Sequence, residues 1–173
     1  MKKIIIIILS VVVCVCLVFC VAVLIDNIAY KNEEIPIFSD GTSFKMTESK
    51  IISIKGVPVS TGEYKANNGA WCEYNEKIYG YNCKAKYIFA DTLLLKKLSE
   101  VYLEIDVESE KDFSILMEKI KKSMDNYYHN NDDYLIEEKE GTVEISIDNG
   151  ATGTFYTVEY KGDKCLISCQ CLF

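Results

Sequence analysis

Apolar and polar positions divide the chain into an unbroken apolar run, a polar connection and two stretches where a helical repeat gives way to strand repeats. Residues 4–25 carry no charge, and Ser10 is their one clearly polar member. As a helix these 22 residues rise about 33 Å, slightly more than the ~30 Å hydrocarbon core of a bilayer. Lys2 and Lys3 precede the run and Asp26 follows it, so the positive-inside rule puts the amino terminus in the cytoplasm. The only small-x-small site, Cys20-Val21-Ala22, lies deep inside the run. Phe19 before Cys20, and valines before Cys14 and Cys16, disfavour lipidation. The expectation is a retained single-pass transmembrane signal anchor over residues 1–26, with the rest of the chain extracytoplasmic.

Residues 27–42, with Pro36 and an Asp40-Gly41 turn, read as a polar stalk. Residues 43–107 form a first unit. Thr47 caps a short helix whose apolar face is Ile51, Ile52 and Ile54, and Gly56 with Pro58 ends it. Strands are expected over 70–74, 84–90 and 101–107. The last alternates, with Val101, Leu103, Ile105 and Val107 on one face and Tyr102, Glu104 and Asp106 on the other. The second unit, 108–173, opens on a Ser109/Asp112 capping pair. Phe113, Leu116, Met117, Ile120, Met124 and Tyr127 follow at helical spacing. Strands over 134–139, 143–148, 154–160 and 164–172 follow, with turns at Glu140-Gly141, Asn149-Gly150 and Gly162-Asp163. The expected fold class is α+β: a transmembrane helix, then two helix-then-antiparallel-meander units with the helices packed on one face of the sheet.

Charge narrows the partners. The chain of 173 residues has a formal net charge of −7, and it contains no arginine. Phosphate and base recognition rest on a basic face and forked arginine contacts, so nucleic acid is excluded. The expected contacts are the membrane through residues 4–25 and another envelope or extracellular protein.

Eight cysteines are present. Cys14, Cys16 and Cys20 lie in the apolar run. Cys72 and Cys83 flank 75–80, read as a hairpin turn, which makes them a disulfide candidate in an oxidising compartment. Cys165, Cys169 and Cys171 share parity with Ile167 and Phe173, so they belong to one face of a closing strand, a buried apolar face partly made of cysteine. Neither paired C-x-x-C units nor a C-x-x-C…H pattern is present, so no metal site is assigned.

Catalytic signals are weak. His129, the only histidine, stands in a polar segment at a helix end and reads as a solvated loop residue. Asp132 and Asp133 lack the oxygen-ligand spacing of a calcium loop. Glu104, Asp106, Glu108, Glu110 and Asp112 read as solvating a strand and favouring a helix start. Gly150-Ala151-Thr152-Gly153 lacks the Gly-Lys-Ser/Thr of a phosphate loop and reads as a hairpin loop. No nucleophile has an evident base, so neither an enzyme nor a cofactor is expected.

One string carries a resemblance. Met46-Thr47, Ile51, Gly56 and Pro58 are spaced as M-T-x3-I-x4-G-x-P. This resembles the M-T-x-x-x-V-x-x-x-x-G-x-P signature of the small outer-membrane-assembly lipoproteins (the SmpA/OmlA, or BamE, family), and the repeats of the β-lactamase inhibitory proteins are similar. Lys45 stands where the family usually has glycine. The resemblance implies a non-enzymatic module that grips other proteins with a concave sheet face rich in aromatic and acidic side chains. Trp71, Tyr74, Tyr79 and Tyr81 are the partner-binding candidates, since aromatics dominate binding hot spots. The rival reading is a small-ligand or metal-sensing domain using the Cys165/Cys169/Cys171 face or the Asp132-Asp133 loop, or a structural envelope protein.

Overall fold

A computed structural model of the chain describes residues 2–29, 33–64, 69–92, 95–139, 141–148 and 153–172. Its elements run α1 (Lys2–Ala29), β1 (Glu33–Glu34), β2 (Ser43–Phe44), α2 (Glu48–Lys55), β3 (Ser60–Tyr64), β4 (Gly69–Ile78), β5 (Tyr81–Asp91) and β6 (Lys96–Asp106). After these come α3 (Glu110–Tyr128), β7 (Tyr134–Lys139), β8 (Thr142–Asp148), β9 (Gly153–Tyr160) and β10 (Lys164–Leu172). The turn expected at Asn149-Gly150 and most of the 150–153 loop lie outside the described residues.

The single-pass anchor expected at 4–25 is corrected by this structure. Among the described residues no helix is long and apolar enough to cross a membrane. The extracytoplasmic placement of the remaining chain, which rested on that anchor, loses its support.

The fold class is corrected as well, to a mostly-sheet architecture with few helices. All strands from β3 onward join one antiparallel sheet of eight, in the order β3-β4-β5-β6-β10-β9-β8-β7. The strands are longer than their alternation implied. β4 and β5 run on to Ile78 and Tyr81, where a two-residue turn at Tyr79-Gly80 joins them. Both turn residues have positive φ (51° and 93°), the condition of the hairpin turn whose twist matches that of the strands. The polar residues Asn75 and Lys77, expected as turn, are strand positions facing solvent, as is Asn82. β3 is an added edge strand. Its Ser-Thr-Gly-Glu-Tyr sequence has no apolar alternation, and it is held by pairing to β4.

Two short local codes position the helices. Thr47 accepts a hydrogen bond from the Lys50 backbone N–H at 3.4 Å, satisfying a free donor of α2. Gly56, at φ 83°, ends the helix with its N–H on the Ile52 carbonyl, a backbone state glycine reaches without strain. Ser109 caps α3 in the same way through the Asp112 N–H. α2 buries Ile51, and α3 buries Leu116, Met117, Ile120, Met124 and Tyr128. These meet the inward residues of the strands, among them Tyr87, Phe89, Val101, Ile105, Tyr156 and Cys169. The residues of β1 and β2 and the loop between them add Ile35, Ile37, Phe38 and Phe44 to the same core. One face of the sheet is therefore covered by α2, α3 and this strap. No described residue of α1 belongs to the core.

Candidate functional site

The printed register assigns every strand residue to a face, because successive side chains alternate. Cys72 pairs with Tyr87, Tyr74 with Ala85 and Glu76 with Cys83, and all point toward the helices. The intervening residues form the open face. Three cross-strand rows describe it. The first runs Gly62, Trp71, Ile88, Glu100, Gln170, Phe155, Ser146 and Leu135. The second runs Glu73, Lys86, Tyr102, Ser168, Thr157 and Glu144. In the third, Lys84, Glu104, Leu166 and Glu159 succeed one another.

Large apolar side chains stay in solvent here: Tyr102 is 37% exposed, Phe155 41%, Leu135 52% and Leu172 58%. The same face carries a groove of about 360 Å³, whose floor includes Tyr102 and Leu166 and whose banks carry Glu73, Lys84, Lys86, Glu104 and Glu159. A second depression of about 560 Å³ continues toward the Tyr79-Gly80 turn and shares Lys84 and Glu104 with the first.

The charges on this face are placed by neighbours. Lys164 Nζ reaches Asp106 at 2.6 Å and Glu104 at 3.1 Å, and these two carboxylates push its pKa upward. Lys84 lies 3.4 Å from Glu73. Lys86 stands 4.3 Å above the Trp71 ring, a cation–π contact. The other flank of that ring rests on Gly62, where a Cβ would fall 2.7 Å from indole atoms. Burial, and then Glu100 accepting its hydroxyl hydrogen at 2.7 Å, raise the Tyr102 pKa.

The four aromatic candidates do not form one cluster. Trp71 alone stands on the open face. Tyr74 is buried, with its hydroxyl donating to the Gly56 carbonyl at 3.2 Å. Tyr79 donates to Ser123 Oγ at 2.6 Å and Tyr81 to the Asp112 carbonyl at 3.5 Å, so both fasten the β4–β5 turn to α3. The hydroxyls of these three tyrosines are all bonded within the chain. The open-face residues that sequence reasoning passed over are Tyr102, Phe155, Leu166 and the lysines of β5. The clean alternation of 101–107 pointed to Tyr102, and the lysines at 84 and 86 had the same period of two.

The disulfide candidate separates. Cys72 and Cys83 share the covered face, but the turn centre at 79–80 leaves them four residues apart along the hairpin. That is about 13 Å along a strand, beyond what a disulfide spans. Both are free thiols. Burial pushes Cys72 up to about 11 and Cys83 and Cys165 to about 12. Cys165, Cys169 and Cys171 are also free and buried, and burial raises Cys169 furthest. Among the described residues no group of three or more His, Cys, Asp or Glu side chains is arranged to hold a metal.

No family model, curated protein or solved structure matches the chain.

The remaining polar candidates have local tasks. His129 is exposed, with Nδ1 3.0 Å from the Asn126 carbonyl and Nε2 2.8 Å from Asn130. Asn131 Oδ1 accepts from the Asp133 N–H at 2.9 Å, a turn contact. Of the acidic run, Glu104 and Asp106 face the groove lysines, while Asp112 bonds back to the Ser109 cap.

A buried ionic cluster on the covered side has no sequence signal at all. Lys55, at the end of α2, lies 2.7 Å from Asp40 and 2.6 Å from Glu76, and its side chain is 5% exposed. Tyr87 donates to the other Glu76 oxygen at 2.5 Å. The ammonium also sits 4.3 Å from the Phe38 ring centre. This ties the strap and α2 to β4 and β5. All of its partners are internal, one ammonium serving two carboxylates, which favours an architectural role.

Proposed function

We propose that the chain is a non-enzymatic docking module that seats a partner protein on the open face of its eight-stranded sheet. The observation that supports this is the groove lined by Tyr102 and Leu166, on a face that also leaves Phe155, Leu135 and Leu172 in solvent. Exposed aromatic and aliphatic side chains rimmed by charges are the anatomy of a recognition surface. The M-T-x3-I-x4-G-x-P resemblance favours the same reading, because the proteins it points to bind partners through a sheet.

A photo-activatable amino acid in place of Tyr102, compared with one in place of exposed Glu118 on α3, tests the proposal. A heterologous protein is expected to cross-link at position 102 and not at 118, and Leu166→Glu is expected to abolish that adduct. The same adducts from both positions, or none from 102, would overturn the docking role.

A further inference from the structure

The two edges of the eight-stranded sheet are not alike. β7 closes on Glu137, Glu138 and Lys139, all exposed, and Lys121 of α3 reaches across to Glu138. Charges set this densely along an edge guard it against further strand pairing. β3, at the other end, reads Ser60-Thr61-Gly62-Glu63-Tyr64, with one charge and no proline. Ser60, Thr61 and Glu63 are exposed, and among the described residues β4 is the only strand paired with it. About half of its backbone N–H and C=O groups therefore point away from the sheet. Just before it, Val57 and Val59 stand 89% and 59% exposed. Bare backbone beside exposed aliphatic side chains is what strand addition uses.

We propose that β3 is a second docking element, which takes an extended segment of a partner protein as a further strand of the sheet. This goes beyond the docking role of the open face and does not depend on it. The side chains along the edge define the chemistry of that segment. Trp71 lies over Gly62, where a side chain would collide with it, so the indole sits above β3 itself. An added strand runs one spacing of about 4.8 Å further out. A side chain opposite Gly62 on the open face then meets the ring, and an aromatic one suits it. Glu63 pairs with Ala70 where Gly62 pairs with Trp71, so Glu63 and Val59 share the other face. A basic residue complements Glu63 across the pair, and an aliphatic one continues the apolar contact at Val59. Running antiparallel to β3, the occupant reads basic, aromatic, two unspecified residues, then aliphatic. A second copy of β3 turned about Gly62 sets Glu63 against Thr61 and glycine against glycine, so it supplies neither the basic group nor the ring.

The peptide Thr-Lys-Phe-Thr-Thr-Val-Thr, titrated into the purified full chain in a mild non-ionic detergent, tests this through Trp71, the only tryptophan. A saturable blue shift of its emission is expected as the phenylalanine covers the indole. Only every second N–H of an added strand faces β3. Methylating the backbone nitrogens of one alternate set of peptide residues is therefore expected to abolish the shift, and methylating the other set to leave it. Exchanging the peptide lysine for glutamate is expected to weaken binding about fivefold, and Glu63→Lys in the chain to reverse that preference. Glu63 is exposed; unchanged far-ultraviolet dichroism and melting confirm that the variant folds.

The edge site is overturned by the absence of a shift at millimolar peptide, or by the two methylated sets behaving alike. A charge preference that Glu63→Lys leaves as it was also overturns it, as does sedimentation showing a native self-pairing that Glu63→Lys breaks. The two proposals fail separately. A chain that binds this peptide but yields no heterologous adduct from position 102 keeps the edge and loses the open face, and the converse result loses the edge alone.

Discussion

One carbon added at Gly62 would meet the indole of Trp71 at 2.7 Å, and Lys86 closes the opposite side of the ring. Gly62→Ala is therefore expected to cost about 1–3 kcal/mol through overpacking. Because Trp71 is the only tryptophan, a red shift of its emission reports the ring moving into water. On the covered side, Lys55→Met leaves Asp40 and Glu76 without their shared cation. Breaking a buried pair in this way costs about 3 kcal/mol, measurable as a lower midpoint in urea. Burial pushes the Asp40 carboxyl upward, but hydrogen bonds from Lys55 and Thr42 outweigh it and hold the pKa below its usual value. A depressed carboxylate stabilises the fold above its unfolded pKa of ~3.9 and loses that contribution as pH falls through the folded value. The stability gap between native and Asp40→Asn chains is expected to be flat from neutral pH down to about 5. It should shrink in acid titrations below about 4.

Among the elements, the β4–β5 hairpin reaches past the sheet to α3. Tyr79 touches Ser123, and the Lys119 ammonium reaches the Tyr79 carbonyl at 3.4 Å. Tyr79→Phe is expected to remove about 1 kcal/mol and to speed hydrogen exchange in the middle of α3 more than in β9. The caps of α2 and α3 were legible in the sequence because Thr47, Gly56 and Ser109 act on backbone atoms only a few residues away. The turn was not. Asn75, Lys77 and Asn82 are polar because they face water from inside strands, and polarity alone does not separate that from a loop. The displacement matters for the cysteines, since partners across a hairpin are fixed by the turn centre. β3 was illegible for a related reason: an edge strand of small and polar residues takes its order from its neighbour. The open-face groove was half legible, its Tyr102 from alternation and its partner strands only from register.

At the level of the whole molecule, the sheet has one covered face and one wet face. Every thiol beyond residue 30 is on the covered one, where burial raises its pKa. Labelling the native protein at pH 8 is expected to leave Cys72, Cys83, Cys165, Cys169 and Cys171 unmodified, with all five reacting once the chain is unfolded in urea. Peptide mapping distinguishes them from Cys14, Cys16 and Cys20. The helices were foreseeable from their 3.6-residue period, but the dominance of sheet was not, because lysine and glutamate on the wet face disguised the strand lengths. The strand order has a further consequence for how the chain is made. β10 sits at the centre of the sheet, against β6, yet it comes after the other seven described strands of that sheet in the chain. Until it arrives, β6 presents a raw edge, and nothing joins the four strands β3–β6 to the three strands β7–β9. Growing chains therefore pass through a stage open to mispairing with one another, and the final nine-residue strand is the one that ends it.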